Sequence, residues 1–147
     1  TPEPHLVSYF PLVDAAVGKV LLVDHRNAGL WLPAGGHVEP GEHPRATVER
    51  EAREELDVDA ELLVPEPVFI TVTQTREQRP VHTDVSLWYL LSGEASRPLA
   101  FDPGELHGVR WFAPSEVPYE RAEPHLARFL SKLSARGLLR PARPFSD

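Results

Sequence analysis

The chain has 147 residues, a formal net charge of −7, 41 % hydrophobic and 25 % charged residues, and no cysteine. That length suffices for one domain with a buried core, and the missing cysteines exclude disulfides, a thiolate zinc site and a cysteine nucleophile. The acidic balance without a basic stripe argues against nucleic-acid binding, and no apolar run approaches a membrane span or a signal peptide.

These features fit a cytoplasmic protein, although the chain starts at Thr1 rather than methionine, which leaves room for a missing initiator or leader. Sixteen prolines cut the chain into short elements. Residues 1–4 read as a loose end. Residues 5–10 (HLVSYF) read as a strand stopped by Pro11, and residues 15–24 (AAVGKVLLVD) as a second strand able to pair with the first. A turn at 25–29 leads to a short apolar strand at 30–32. Its Trp31 suits either the core or a stacking surface for a base. Pro33, Ala34, Gly35 and Gly36 then bend the chain.

The spacing predicts a helix over 44–56, with Pro44 in its first turn. A connector at 57–67 holds a short apolar piece at 62–64. Residues 68–73 (VFITVT) are a strong strand signal. A polar loop at 74–80 joins them to a strand at 82–91 in a hairpin. A Pro/Gly/Ser-rich loop at 93–104 precedes a short strand at 109–112 (VRWF), and Pro114, Ser115 and Glu116 signal a helix start. Residues 123–136 are amphipathic, with Leu126, Phe129, Leu130 and Leu133 on one face and Gly137 as a cap; the tail from Pro141 reads as frayed. The pattern reads as a single α/β domain over 1–147 with a mixed sheet.

Chemistry concentrates in the predicted helix at 44–56. Glu51, Glu54 and Glu55 sit at i, i+3 and i+4, so three carboxylates share one face. A Glu/Arg-rich helix is usually a solvated face, yet like charges at this spacing repel unless a cation sits over them. Such an oxygen cluster suits Mg²⁺ or Mn²⁺. Val48, Ala52 and Leu56 form an adjacent apolar stripe, so the helix docks along the edge of its acidic row.

The wider spacing of Gly36, Glu42, Arg50, Glu51, Glu54, Glu55 and Val58 resembles the Nudix box, G-x5-E-x7-R-E-U-x-E-E-x-G-U, in which U is a bulky aliphatic residue. At ordinary residue frequencies the charged and glycine matches would coincide with odds of roughly one in 10⁴ to 10⁵. Ala52 stands where a bulkier aliphatic residue is usual, and Asp57 where the family has a glycine that ends the helix in a left-handed turn. Aspartate tolerates that conformation better than most residues. Neither departure touches a presumed ligand.

The resemblance implies the Nudix fold, an α/β/α sandwich with a mixed β-sheet and the box as a loop-helix-loop. It implies Mg²⁺ (or Mn²⁺) held by Glu51, Glu54 and Glu55, with the Gly36 carbonyl as a further ligand. Arg50 would orient a box carboxylate, and Glu42 would complete that network or hold a metal through water. For the general base, Glu51 is the first choice within the box. Glu105 and Asp102 lie in the loop before VRWF, where such an acid sits in some members. His82 and Asp84 are candidates to face substrate from their strand, and His37 is given no role.

The implied reaction is hydrolysis of a phosphoanhydride in a nucleoside diphosphate linked to another group. A small-molecule nucleoside triphosphate is the first substrate expectation, with ADP-ribose or a nucleotide sugar as the alternative. A non-catalytic nucleotide-binding module is a second alternative, against which the filled charged positions argue. An isopentenyl-diphosphate-type isomerase would need a cysteine. No partner protein, nucleic acid or membrane is implied; homodimers are common among such domains, though no surface in the sequence points to one.

Overall fold

A pair of parallel strands that bend together carries this chain from one sheet into another. The computed structural model describes residues 4–75 and 82–140. Positions 1–3 of the expected loose end at 1–4, the tail at 141–147, and positions 76–80 of the polar loop lie outside them. Strand β1 (His5–Tyr9) pairs in parallel with β7 (His82–Trp88). After a short break the same two chain segments pair again, as β2 (Leu12–Asp14) with β8 (Leu91–Ser92) in the second sheet. Amide bonds from Tyr89 to the Tyr9 carbonyl (2.8 Å) and from Leu91 to the Pro11 carbonyl (3.0 Å) keep the ladder continuous across the bend. The expected single strand at 82–91 is therefore two strands in two sheets.

The first sheet has the order β5-β1-β7-β6, with β5 (Gly35–His37) and β6 (Phe69–Thr75) at its edges. The expected hairpin around the polar loop is present as the antiparallel β6–β7 pair. In the second sheet β3 (Lys19–His25) pairs with β2, with β4 (Trp31–Leu32) and with β9 (Leu106–Phe112). The strands at 5–10 and 15–24 do not pair with each other, contrary to the sequence reading. Residues 15–18 are a turn, with Gly18 at φ 68° and its amide on the Asp14 carbonyl (2.9 Å). That turn folds β2 onto β3 and leaves β1 to the other sheet. Glycine reaches this left-handed conformation without a Cβ penalty.

Helix α1 (Pro44–Leu56) starts where the His43 imidazole accepts the Arg45 amide (3.1 Å), and Pro44 occupies its first turn. It ends at Asp57, whose φ of 52° and ψ of 45° are left-handed. There the Asp57 amide donates to Arg53 O and the Val58 amide to Ala52 O, so aspartate supplies the turn that glycine usually does. Val48, Ala52 and Leu56 are buried against Phe10, Leu21, Val23 and Tyr89. A bond from Ser8 Oγ to the Pro44 carbonyl (2.9 Å) pins the helix start to β1.

Helix α2 (Leu126–Ala135) packs in the other core cluster. Its buried Leu126, Phe129, Leu130 and Leu133 meet Trp88, Leu90 and Phe112, and the Phe129 and Trp88 rings lie 4.7 Å apart. Each fully buried side chain of this size contributes about 1.5–3 kcal/mol. The helix begins three residues later than its periodicity suggests. Ala122 bridges Trp31 in parallel, and the Glu123 amide donates to the Trp31 carbonyl (3.0 Å), so residues 122–123 are held extended. With one helix in each core cluster, the β layers sit between them: an α/β/α sandwich built on mixed sheets.

Candidate active site

The acidic row of α1 faces a concavity of about 340 Å³ lined by residues that include Gly35, Gly36, Arg50, Glu51, Glu55 and Glu105. Three elements build it. β5 brings Gly36 so close to α1 that a Cβ on it would come within 2.5–2.7 Å of the Glu51 side chain, so only glycine fits there. α1 brings Glu51 and Glu55. The turn before β9 brings Glu105, locked by its carbonyl to the Arg26 amide (3.0 Å).

Arg50 is the organiser. Its Nε and Nη2 donate to the two oxygens of Glu42 (2.9 and 3.1 Å), its Nη1 to Glu51 (2.8 Å) and, at 3.4 Å, to Glu54, and its Nη2 also to the His37 carbonyl (3.3 Å). A planar guanidinium holds this fork in a way an ammonium cannot. Glu42 is fixed again by the Thr47 hydroxyl (2.6 Å) and the Glu39 amide (3.1 Å). The Arg50 and Thr47 hydrogen bonds pull its carboxyl down to about 2. Glu42 thus anchors Arg50, and Arg50 orients Glu51.

Electrostatics run the other way for the two carboxylates inside. Glu55 is 5 % exposed, and its Oε2 is buried without a hydrogen-bond partner among the described residues. Burial first, then the charges of Glu51 and Glu105, push its carboxyl up to about 8, partly offset by a hydrogen bond from the Gly35 backbone. Burial also raises Glu51, against the pull of Arg50. A buried, unpaired carboxylate oxygen beside two further acids is unfavourable unless a cation completes it. The oxygen-rich donor set suits a hard divalent ion.

The remaining candidates lie at graded distances from this cluster. Glu54 sits on the rim, its side chain 61 % exposed. Asp102 is absent from the lining: its Oδ1 accepts the Gly104 amide (2.8 Å) and its carbonyl the amides of Glu105 and Leu106, so it shapes the turn that presents Glu105. Trp31 is half-buried and packs edge-on against Phe112 at 5.1 Å. His82 and Asp84 are on β7 and are not among the residues lining this concavity. Asp84 pairs in register with His5 on β1.

The periodicity of α2 concealed one buried acid. Glu123 is 6 % exposed, accepts the His125 amide, and is raised chiefly by burial. With Asp84 it adds to the burial that lifts the Tyr9 hydroxyl. Only the pairing of residue 123 with Trp31 shows that it turns inward.

The chain matches the family model described as NUDIX domain over residues 5–133. A protein of Bacillus subtilis (strain 168), named "Putative 8-oxo-dGTP diphosphatase", is 30 % identical over 100 residues, 68 % of this chain and 61 % of the relative. The chain therefore spans about three fifths of that relative's length. Among solved structures, the MutT NUDIX hydrolase of Burkholderia pseudomallei superposes with a TM-score of 0.70 at 23 % identity, over 90 % of this chain and 99 % of that one. The MutT protein of Methanosarcina mazei Go1 superposes with a TM-score of 0.74 at 17 % identity, over 92 % and 97 %. At these identities the two structures speak for the fold, and the match over residues 5–133 speaks for the family: the chain belongs to the NUDIX domain family.

Proposed function

We propose that this protein is a Mg²⁺-dependent hydrolase that cleaves a phosphoanhydride bond of a nucleoside triphosphate, releasing pyrophosphate. The observation that carries this reading is the convergence of Glu51, Glu55 and Glu105 on one concavity, with an unpaired buried oxygen on Glu55 and Gly36 against Glu51.

Glu51, Glu54, Glu55 and the Gly36 carbonyl would hold Mg²⁺, or Mn²⁺ in its place. The ion supplies charge neutralisation for the diphosphate oxygens and a lower pKa for bound water. Arg50 aims Glu51 and opposes the burial that raises its carboxyl, and Glu42 keeps Arg50 in place. Since Glu51 is committed to Arg50, Glu105 is the better general base: it enters from a different element, and its carboxylate has no arginine partner among the described residues. The name of the Bacillus subtilis relative favours oxidised purine deoxynucleoside triphosphates as the first substrates to try.

The test is a Mg²⁺-dependent hydrolysis screen over ordinary and oxidised nucleoside triphosphates, ADP-ribose, nucleotide sugars and dinucleoside polyphosphates. Glu51→Gln and Glu105→Gln are run beside the wild type. One triphosphate should stand far above the rest and be silenced by EDTA. Glu51→Gln should lower turnover by about 10²-fold or more. Glu105→Gln should flatten the acidic limb of the pH–rate profile. Preference for ADP-ribose or a sugar nucleotide would replace the substrate reading, and turnover that survives EDTA would overturn the metal mechanism.

A further inference from the structure

The strands that build the acidic cluster carry a second group of metal-ligating side chains on their other face. Gly36 faces α1, as its contact with Glu51 shows. Strand alternation therefore turns His37 to the opposite side. On β1, Ser8 faces α1 through its bond to Pro44, so His5 also points away. Register completes the set: Val7 pairs with His37 and His5 with Asp84, which places His5 and Asp84 side by side and His37 diagonal to them.

The donor atoms of His5, His37 and Asp84 all lie within 4.8 Å of one another, and His5 Nδ1 is 3.8 Å from Asp84 Oδ1. Two ligands of one tetrahedral zinc are about 3.3 Å apart for bonds of about 2.05 Å. Metal binding therefore draws the donors together by up to about 1.5 Å. Two further observations point to a ligand. Asp84 Oδ1 is buried and accepts no hydrogen bond among the described residues. The His5 ring is held between those of His37, edge-on at 5.6 Å, and His82, at 4.7 Å, so its orientation is restricted before any ion arrives.

We propose that His5, His37 and Asp84 form a binding site for a borderline divalent transition metal, Zn²⁺ first, separate from the acidic cluster of α1. Two imidazoles and one carboxylate leave a fourth position open for water or an anion. The same donor set disfavours Mg²⁺, which takes oxygen ligands and near-ideal octahedral geometry. Two sites of different chemistry thus back onto one β-ladder, and His37 is their common wall: its ring faces one, while its carbonyl accepts Arg50 at the other. This inference does not rest on the proposed hydrolysis.

The experiment titrates the full metal-stripped chain with Zn²⁺, and with Co²⁺ as an optical reporter, in a large excess of Mg²⁺. A Glu51→Gln/Glu55→Gln double variant removes both α1 carboxylates that line the acidic concavity. One equivalent of Zn²⁺ should still bind that double variant, displacing Co²⁺ and its visible absorption. His37→Ala and Asp84→Asn, each added to it, should weaken binding by about 100-fold or more, since loss of a ligand costs at least as much as loss of its supporting partners. A readout on the unmutated chain guards against misfolded variants: Co²⁺ should shift the imidazole resonances of His5 and His37, out of seven histidines, and leave that of His25, beside the acidic cluster, in place. No tight binding to the double variant, binding untouched by His37→Ala, or a shifted His25 alone would each overturn the proposal.

Discussion

Gly36 and His37 are neighbours in the chain and serve opposite faces of one sheet. On the Gly36 side every donor is oxygen, one arginine aims the carboxylates, and a glycine lets the helix approach to contact. On the His37 side the donors are two imidazole nitrogens and one carboxylate on adjacent strands, and among the described residues no guanidinium bonds to these donor atoms. The first arrangement, proposed above as the hard-cation site, has Glu51 oriented by the Arg50 guanidinium. The second owes its geometry to strand register and to the packing of the His5 ring between those of His37 and His82. Pleat period makes the separation unavoidable, because consecutive residues of a strand cannot share a face.

The largest expected effect comes from collapsing the first side. Gly36→Ala pushes a Cβ into Glu51 and should lower turnover by about 10²-fold or more, since a displacement near 1 Å at a reacting centre costs that much. It should leave Zn²⁺ binding at His5, His37 and Asp84 within a few-fold. Equal loss of both would show that the two faces are one site.

Next is the pH dependence of the metal-free protein. The folded Glu55 carboxyl, pushed up to about 8 by burial and its acidic neighbours, keeps a proton that the unfolded chain releases near its ordinary value. The folded state then binds more protons, so stability falls as pH rises through the window between about 4.5 and 8, by on the order of a few kcal/mol. Thermal melts in EDTA should drop across that range, and Mg²⁺ should restore more at pH 8 than at pH 5.5. Glu55→Gln should flatten the EDTA profile; an unchanged slope in that variant would assign the effect to other groups.

A smaller loss is expected for Arg50→Lys. The charge survives, but the fork to Glu42 and Glu51 does not. Turnover should fall about 10- to 100-fold with a rise in the Mg²⁺ needed for half-maximal rate, the signature of a misaimed ligand. Wild-type Mg²⁺ dependence would contradict the orienting role. The smallest effect is Asp57→Gly. A non-glycine residue in left-handed conformation costs about 1–2 kcal/mol, and glycine's greater unfolded entropy returns part of it. The melting temperature should hold or rise by a few degrees; a clear fall would mean the aspartate side chain does more than cap the helix.

How much of this was legible beforehand follows from the range over which each feature is encoded. Helix α1 was readable to its ends, because proline, the apolar stripe and the residue at the left-handed turn are all local signals. The acidic row was readable for the same reason: three positions on one helix share a face whatever surrounds them. Trp31, Asp102 and Glu123 were not. Their environments depend on the bridge between Trp31 and Ala122 and on the turn before β9, which join residues about ninety positions apart for the bridge. The turn at 15–18 was missed because a glycine inside an apolar run reads as part of a strand until its φ is known.

The sequence by itself determined the family, the helix that carries the carboxylates and the chemistry those carboxylates favour, since the fixed spacing from Gly36 to Val58 is local and too specific to arise by chance. Only the tertiary structure decided that Glu105 enters the cluster while Asp102 turns away, that Glu55 is buried, and that His5, His37 and Asp84 meet. Those facts depend on which strands pair and in what register, and register is set by long-range burial of the two cores, which no local window of the chain contains.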